Sequence, residues 1–353
     1  MIISRTPFRV SFFGGGTDYF DWYEENEGAV LATTINKYCY ISCRYLPPFF
    51  EHKTRVAWSN VEHVKSHDEI KHPSVRAVLQ FLKINDGLEI HHDGDLPARA
   101  GLGSSSTFTV GLLHALHGLQ RSMPTKRQLA LEAIEIERNI LKETGGIQDQ
   151  VATSFGGFNK IGFMRGSDFS VRPIIMDRAR LTDLQSHLML YFTGFSRSSS
   201  EIAKKQVDNI HKRKKELNRM FHMVDEAIAI LTGRGDLTEL GLLLDESWKI
   251  KRTFSEKVST EGVDQIYQAA LEAGAIGGKL LGAGGGGFLL LFARPEDQLQ
   301  IKERLKGLLL VPFRFETNGS QIIFYDPSTH ERDGDFIKMP EKVLEEISGG
   351  EFL

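Results

Sequence analysis

The chain has 353 residues, 41% hydrophobic and 25% charged, enough to bury a full core and, by length, to divide into two domains. Lys and Arg total 43 against 46 Asp and Glu, a net charge of −3, which excludes a broad polybasic surface for nucleic acid or anionic lipid. The longest apolar stretches, such as 288–293, are too short to cross a bilayer, and the first residues lack the charged-then-apolar order of a secretion signal. The expectation is a cytoplasmic protein with no nucleic-acid and no membrane partner, in which any anionic ligand is bound locally.

In chain order, 8–13, 29–43, 54–58 and 88–92 read as strands, being short, rich in β-branched and aromatic residues, and bounded by turn residues. Helices follow at 104–119 and 125–143, the second with Thr125 as N-cap after Pro124. A buried-strand run at 188–192 leads into one long helix over 199–231, whose apolar positions recur at spacings of three, four and seven. Further helices are expected at 237–254 and 263–273, then a glycine run with a strand over 279–292. The segments 311–315 and 321–325 read as a strand pair, with Asn318-Gly319 as a hairpin turn. The mixture fits an α+β architecture in two lobes, with the boundary near residue 185: domains 1–185 and 186–353. Cys39 and Cys43 fall on one face of a strand and read as reduced packing thiols.

Three glycine segments carry the chemical signal. Pro97 to Ser106 reads Pro-Ala-Arg-Ala-Gly-Leu-Gly-Ser-Ser-Ser immediately before a helix, the pattern of a phosphate cradle. Unpartnered N–H groups and the positive end of the helix dipole favour an anion there. Gly14-Gly15-Gly16-Thr17-Asp18 lies near the N-terminus and Gly282-Ala283-Gly284-Gly285-Gly286-Gly287 far downstream. Taken singly, each glycine run reads equally as a turn or a close packing contact. The P-loop, dinucleotide-binding and protein-kinase patterns are absent.

In order and spacing, Pro7-Phe8-Arg9-Val10 with Gly14 to Asp18, Pro97 to Ser106, and 274–287 resemble the three motifs of the GHMP kinases. Thr34-Ile35-Asn36-Lys37-Tyr38, Gly145-Gly146-Ile147-Gln148-Asp149-Gln150 and Tyr191 to Ser199 are similar to the branch that phosphorylates the anomeric hydroxyl of D-glycero-D-manno-heptose 7-phosphate. The resemblance implies a two-lobed fold, with an N-terminal lobe like ribosomal protein S5 domain 2 and a ferredoxin-like C-terminal lobe. It also implies ATP and Mg²⁺ as cofactors and a sugar phosphate as the small-molecule partner, with a homodimer left open.

The resemblance assigns roles residue by residue. Gly101, Leu102, Gly103, Ser104, Ser105 and Ser106 would hold the nucleotide phosphates, and Ser105 would reach the Mg²⁺. Asp149 resembles the family's catalytic aspartate and Arg9 the basic residue beside it. A structural salt bridge between the two is compatible with both roles. Asp18, with Gly15, Gly16 and Thr17, would bind the sugar, and Gly284 and Gly285 would lie against the substrate. The Gly-Gly in place of the Glu-His of galactokinases opens space for a larger sugar. On the helix expected at 125–143, Glu137 falls within the stripe of Leu129, Ala133, Ile136 and Ile140. A carboxylate there is costly unless paired or bound to a cation. Glu137 is therefore the second metal ligand, matching the family's glutamate, with a buried ion pair to Lys or Arg as the alternative. A distal substrate phosphate needs a cation, for which Arg197 comes first, then Lys37 and Arg99.

Overall fold

The computed structural model describes residues 1–47, 49–98, 100–194 and 199–326. The first sheet is built on two long strands, β1 (Ile2–Phe13) and β2 (Gly28–Tyr45), which run antiparallel and frame the short helix α1 (Phe20–Tyr23). It continues through β3 (Thr54–Ala57), β4 (Val61–Val64) and, after helix α2 (Pro73–Phe81), β5 (Leu88–Gly94). Helices α3 (Ser104–Leu119), α4 (Lys126–Ile134) and α5 (Gln148–Phe155) precede β6 (Phe158–Met164) and β7 (Asp168–Pro173). The 18 residues of β2 pair with β1 on one side and on the other with β6 along Gly28 to Thr33, with a short strand near the C-terminus at Thr34 and Ile35, and with β5 along Cys39 to Tyr45.

Helix α6 (Arg178–Ser186) leads to β8 (Leu188–Phe192), the first strand of the second sheet. Helices α7 (Ser199–Asn209), α8 (Lys214–Thr232), α9 (Thr238–Arg252) and α10 (Glu261–Glu272) come next, followed by β9 (Ala275–Leu280), β10 (Phe288–Ala293), α11 (Gln298–Arg304) and β11 (Leu309–Leu310). The four strands form an antiparallel sheet in the order β11-β8-β10-β9. Its centre is dry on both faces. Alternate side chains of a strand point to opposite sides, so Phe288, Leu290 and Phe292 of β10 join one apolar cluster while Leu289, Leu291 and Ala293 join another. That is why 288–293 reads as an unbroken apolar run rather than an alternating one.

Three expectations are corrected. The helix foreseen at 125–143 is α4 followed by a π-helical turn, Glu135–Ile140. The wider turn leaves Ile140 43% exposed while Ile136 and Glu137 are buried. The long helix foreseen over 199–231 breaks at a 3₁₀ segment, Ile210–Arg213, between α7 and α8. The strand pair foreseen around Asn318-Gly319 is not a hairpin: β12 (Phe315–Glu316) pairs with β2 and β13 (Gln321–Tyr325) with β1. The chain therefore returns to the first sheet, and 186–353 is not a self-contained second unit at the level of strand pairing. Cys39 and Cys43 are buried free thiols.

Candidate active site

A cleft of about 760 Å³ opens where the loop before α3, the α1 approach, the start of α5 and the glycine turn after β9 converge. That volume lies within the range of small-molecule sites. The start of α3 borders the cleft. Gly103 occupies its N-cap in the left-handed region, with no side chain capping the first turn, so N–H groups at the start of the helix face the cleft. Left-handed Gly101 and Gly282 (φ 84° and 71°) pack backbone to backbone. A Cβ on Gly101 would fall 2.4 Å from the Leu281 carbonyl, and one on Gly282 would fall 2.4 Å from Gly101 Cα. The loop before α3 and the distant glycine turn are thus two halves of one wall.

Arg9 and Asp149 form a bidentate pair. Arg9 Nε and Nη2 donate to the two carboxylate oxygens at 2.6 and 2.7 Å, while Nη1 donates to the Gly101 carbonyl at 2.7 Å. Arg9 is buried, while the Asp149 side chain keeps 22% exposure on the cleft wall. Gly103 is the residue that permits this, since a Cβ there would come within 3.2 Å of Asp149 Oδ2.

Asp18 lies beside them, buried, with Oδ1 accepting from the Gly16 N–H at 2.9 Å and Oδ2 from Gln148 Nε2 at 2.8 Å. Burial and, less strongly, the Asp149 charge push its carboxyl up. Gln148 Oε1 is buried without a partner on the cleft wall, so a second acceptor stands next to the Asp18 carboxylate.

Glu137 has no cationic partner among the described residues, so the buried ion pair is not what holds it. Its oxygens accept from the hydroxyls of Ser106 (2.8 Å) and Thr109 (2.7 Å) and from the Gln150 amide. Burial, reinforced by the nearby Glu143, raises its carboxyl to about 7. A divalent cation fits this donor set: one buried carboxylate on the cleft wall, uncompensated, beside hydroxyls that can turn a lone pair outward. The hydroxyl against Glu137 is that of Ser106, whereas Ser105 bonds to Glu143.

Of the other residues singled out in the sequence, Gly101, Gly103, Ser104, Ser105, Ser106 and Gly15 line the cleft. Leu102 is buried and gives its carbonyl to the Arg9 N–H. Thr17 turns inward, its hydroxyl donating to Gly14 and Ala29, and Gly16 packs against Leu217 and Phe254. The Gly285 N–H donates to the Val258 carbonyl, and a Cβ on Gly284 would strike the same carbonyl; Gly282 and Ala283 form the cleft wall instead. The reason is local: four glycines in succession adopt positive φ, and the turn folds back on the Val258 segment. Arg197 and Arg99 lie outside the described residues, and Lys37, on β2, is not among the lining residues.

Sequence reasoning passed over Gln148, Lys142, Lys204, Gln206 and Lys251, all on the cleft wall. For Lys251 a signal existed: it follows Leu244 and Trp248 at helical spacing, in the apolar stripe of α9.

Residues 71–157 match the GHMP kinases N terminal domain and residues 225–309 the GHMP kinases C terminal domain. The chain is 30% identical over 321 residues to the D-glycero-alpha-D-manno-heptose 7-phosphate kinase of Campylobacter jejuni, covering 86% of this chain and 93% of that protein. This chain belongs to the GHMP kinases. It is a sugar kinase, transferring phosphate from ATP to a hydroxyl. A galactokinase of Pyrococcus furiosus is 28% identical, covering 89% of this GHMP kinase and 95% of that protein. The structure of a D-glycero-D-manno-heptose 1-phosphate kinase from Bacteroides thetaiotaomicron superposes with a TM-score of 0.76 at 23% identity, over 92% of this chain and all of that one. The first sheet with its helices is thus the ribosomal protein S5 domain 2-like lobe of a GHMP kinase, and the four-stranded sheet the ferredoxin-like lobe. Among the described residues no helix is long and apolar enough to cross a membrane.

Proposed function

We propose that this kinase phosphorylates the anomeric hydroxyl of D-glycero-D-manno-heptose 7-phosphate, giving the 1,7-bisphosphate used for nucleotide-activated heptose in surface polysaccharide. The observation that carries the reading is the meeting of two acceptor groups, the Asp18 carboxylate and Gln148 Oε1, with the Arg9–Asp149 pair in one cleft. Paired acceptors suit the hydroxyls of a sugar. Lys142 and Lys204 on the same wall offer cations for a phosphate that the sugar already carries. The similarity to the Campylobacter jejuni enzyme favours that sugar over an unphosphorylated one.

In the reaction the anomeric oxygen attacks the γ-phosphorus, the bond to the β,γ-bridging oxygen breaks, and ADP leaves. Asp149 takes or orients the hydroxyl proton, and an anomeric hydroxyl needs only modest help. Arg9 holds Asp149 in one rotamer through two parallel N–H···O bonds. The start of α3, where no side chain caps the first turn, holds phosphate oxygens through backbone N–H groups. Mg²⁺, held by Glu137 with the Ser105 or Ser106 hydroxyl, would supply charge neutralisation on the transferring phosphates.

A panel of phosphorylated and unphosphorylated sugars with ATP tests the reading, the position of the new phosphate being fixed by NMR. The expected product is a 1,7-bisphosphate; turnover restricted to free galactose or fucose would replace this substrate with an unphosphorylated one.

A further inference from the structure

The last turn of α9 presents three cations, and two have ordinary carboxylate partners. Lys249 pairs with Asp245 at 2.6 Å and Arg252 with Asp264 at 3.2 Å, both on the outside. Lys251 points the other way, into the cleft, with 8% of its surface exposed. Its ammonium donates to the carbonyls of Leu280 (3.2 Å) and Gly282. An ammonium carries three N–H donors, so two neutral carbonyls leave one donor and the whole positive charge unmatched. Among the described residues no carboxylate lies within salt-bridge distance of it.

The surroundings sharpen the deficit. Lys279 on β9, 3% exposed, donates to the Phe12 carbonyl at 2.7 Å, likewise with no carboxylate among the described residues. Arg9 on β1 is matched by Asp149 on α5. The remaining anion facing Lys251 is Asp18, and burial pushes that carboxyl toward its neutral form. Buried charges persist when they are paired or when they bind a counter-ion. Arg9 is matched by Asp149, so Lys251 faces the cleft near the start of α3 without a matched counter-ion among the described residues.

We propose that Lys251 is a phosphate-binding catalytic residue of this kinase, its third N–H donating to an anionic phosphate oxygen in the cleft beside the Arg9–Asp149 pair. The assignment rests on the kinase activity; the phosphate comes from one of two sources, the γ-phosphoryl group in transfer or the phosphate that the sugar carries. Lysine serves here as a compact point charge at the end of a stem that α9 and the glycine turn hold straight.

Lys251→Met keeps the stem and removes the donors. Its kcat and its KM for ATP and sugar are measured with heptose 7-phosphate and with the unphosphorylated heptose, alongside the thermal midpoint. Loss of one charge-assisted bond is expected to lower kcat/KM by about 10- to 100-fold. A fall in kcat with both sugars identifies the γ-phosphoryl group; a rise in KM confined to heptose 7-phosphate identifies the carried phosphate. A folded variant with kcat and both KM values at wild-type levels overturns the assignment. If Lys251→Met does not fold, Lys251→Gln, which keeps an uncharged N–H donor, is read the same way. The wild type decides independently. Burial and the Arg9 charge lower the Lys251 ammonium to about 8, so kcat/KM is expected to decline as pH rises through that value. A profile flat from about pH 7 to 9.5 also overturns the proposal. Should the wild type accept only the unphosphorylated sugar, the substrate reading falls, while the effect on kcat still decides the role of Lys251.

Discussion

Glu137 stores a measurable tension between folding and function. Its carboxyl ionises near 4.5 in an unfolded chain and near 7 in the fold, so between those values the folded state binds more protons than the unfolded one. Its contribution to stability therefore falls as pH rises through that window. Glu137→Gln removes the titration and keeps a group of the same shape, and Gln150, whose own Oε1 lacks a partner, can turn its amide to suit. Without nucleotide, the thermal midpoint of the variant relative to the parent should rise by about 2–4 °C between pH 5 and pH 8. Scanning calorimetry reads this directly, and a difference that does not change with pH would mean that the carboxylate is already ionised at pH 5. Asp149→Asn separates chemistry from binding at the same scale. Turnover should fall about 10²- to 10⁴-fold, while ATP affinity by titration calorimetry stays close to wild type because the start of α3 is untouched. Unaltered turnover would remove Asp149 from the reaction. Glu137 stood out in the sequence as a carboxylate in an apolar stripe, and Asp149 through the resemblance of its Gly-Gly segment to that of the family. Gln148, which bonds to Asp18, was not, because a neutral amide leaves no pattern of charge or periodicity.

At the level of elements, the apolar periods foretold α3 and β10 because tertiary packing and local pattern agree there. One departure falls where a candidate site residue is placed. The π turn after α4 carries Glu137, the kind of irregularity often found at sites, and a single amphipathic period cannot announce an extra residue in a turn. The break at Ile210–Arg213 follows Asp208 and Asn209, both poor helix formers, but the apolar spacing from Ile210 to Leu217 runs straight through it and hid it. Thr144-Gly145-Gly146, ahead of α5, shows how a loop sets a side chain. A Cβ on Gly146 would stand 1.7 Å from Asp18 Oδ2, so Gly146→Ala must displace either the loop or the carboxylate. The KM for the sugar should rise at least about tenfold with ATP affinity little changed. A variant with unaltered sugar KM would show that the Asp18 carboxylate and the Gly145-Gly146 loop need not keep this arrangement to bind the sugar.

Across the whole molecule, the order of the three glycine segments was readable, but their meeting followed only from the family resemblance, because backbone-to-backbone packing leaves no side-chain signature. The same holds for the return of the chain. A boundary near 185 places the start of the second sheet sensibly, yet β12 and β13 complete the first sheet from more than a hundred residues downstream. The large apolar cluster also ignores the boundary: Val10, Phe12 and Phe13 share it with Leu217, Met220 and Val224 of α8. A clasp crosses it too, Tyr19 donating to Gln206, which donates to the Ala283 carbonyl. A fragment of residues 1–185 would therefore expose one edge of β1 and a broad apolar face to water. Uncovered strand edges and large apolar patches favour association over folding. The fragment alone should give no cooperative thermal transition by near-ultraviolet circular dichroism and should aggregate. Co-expression with residues 186–353 should restore a soluble complex and a transition, because the second fragment brings α8, β12 and β13 together. A sharp, reversible transition of the isolated fragment would show instead that the first lobe carries its own core, and that the two lobes meet only to build the cleft.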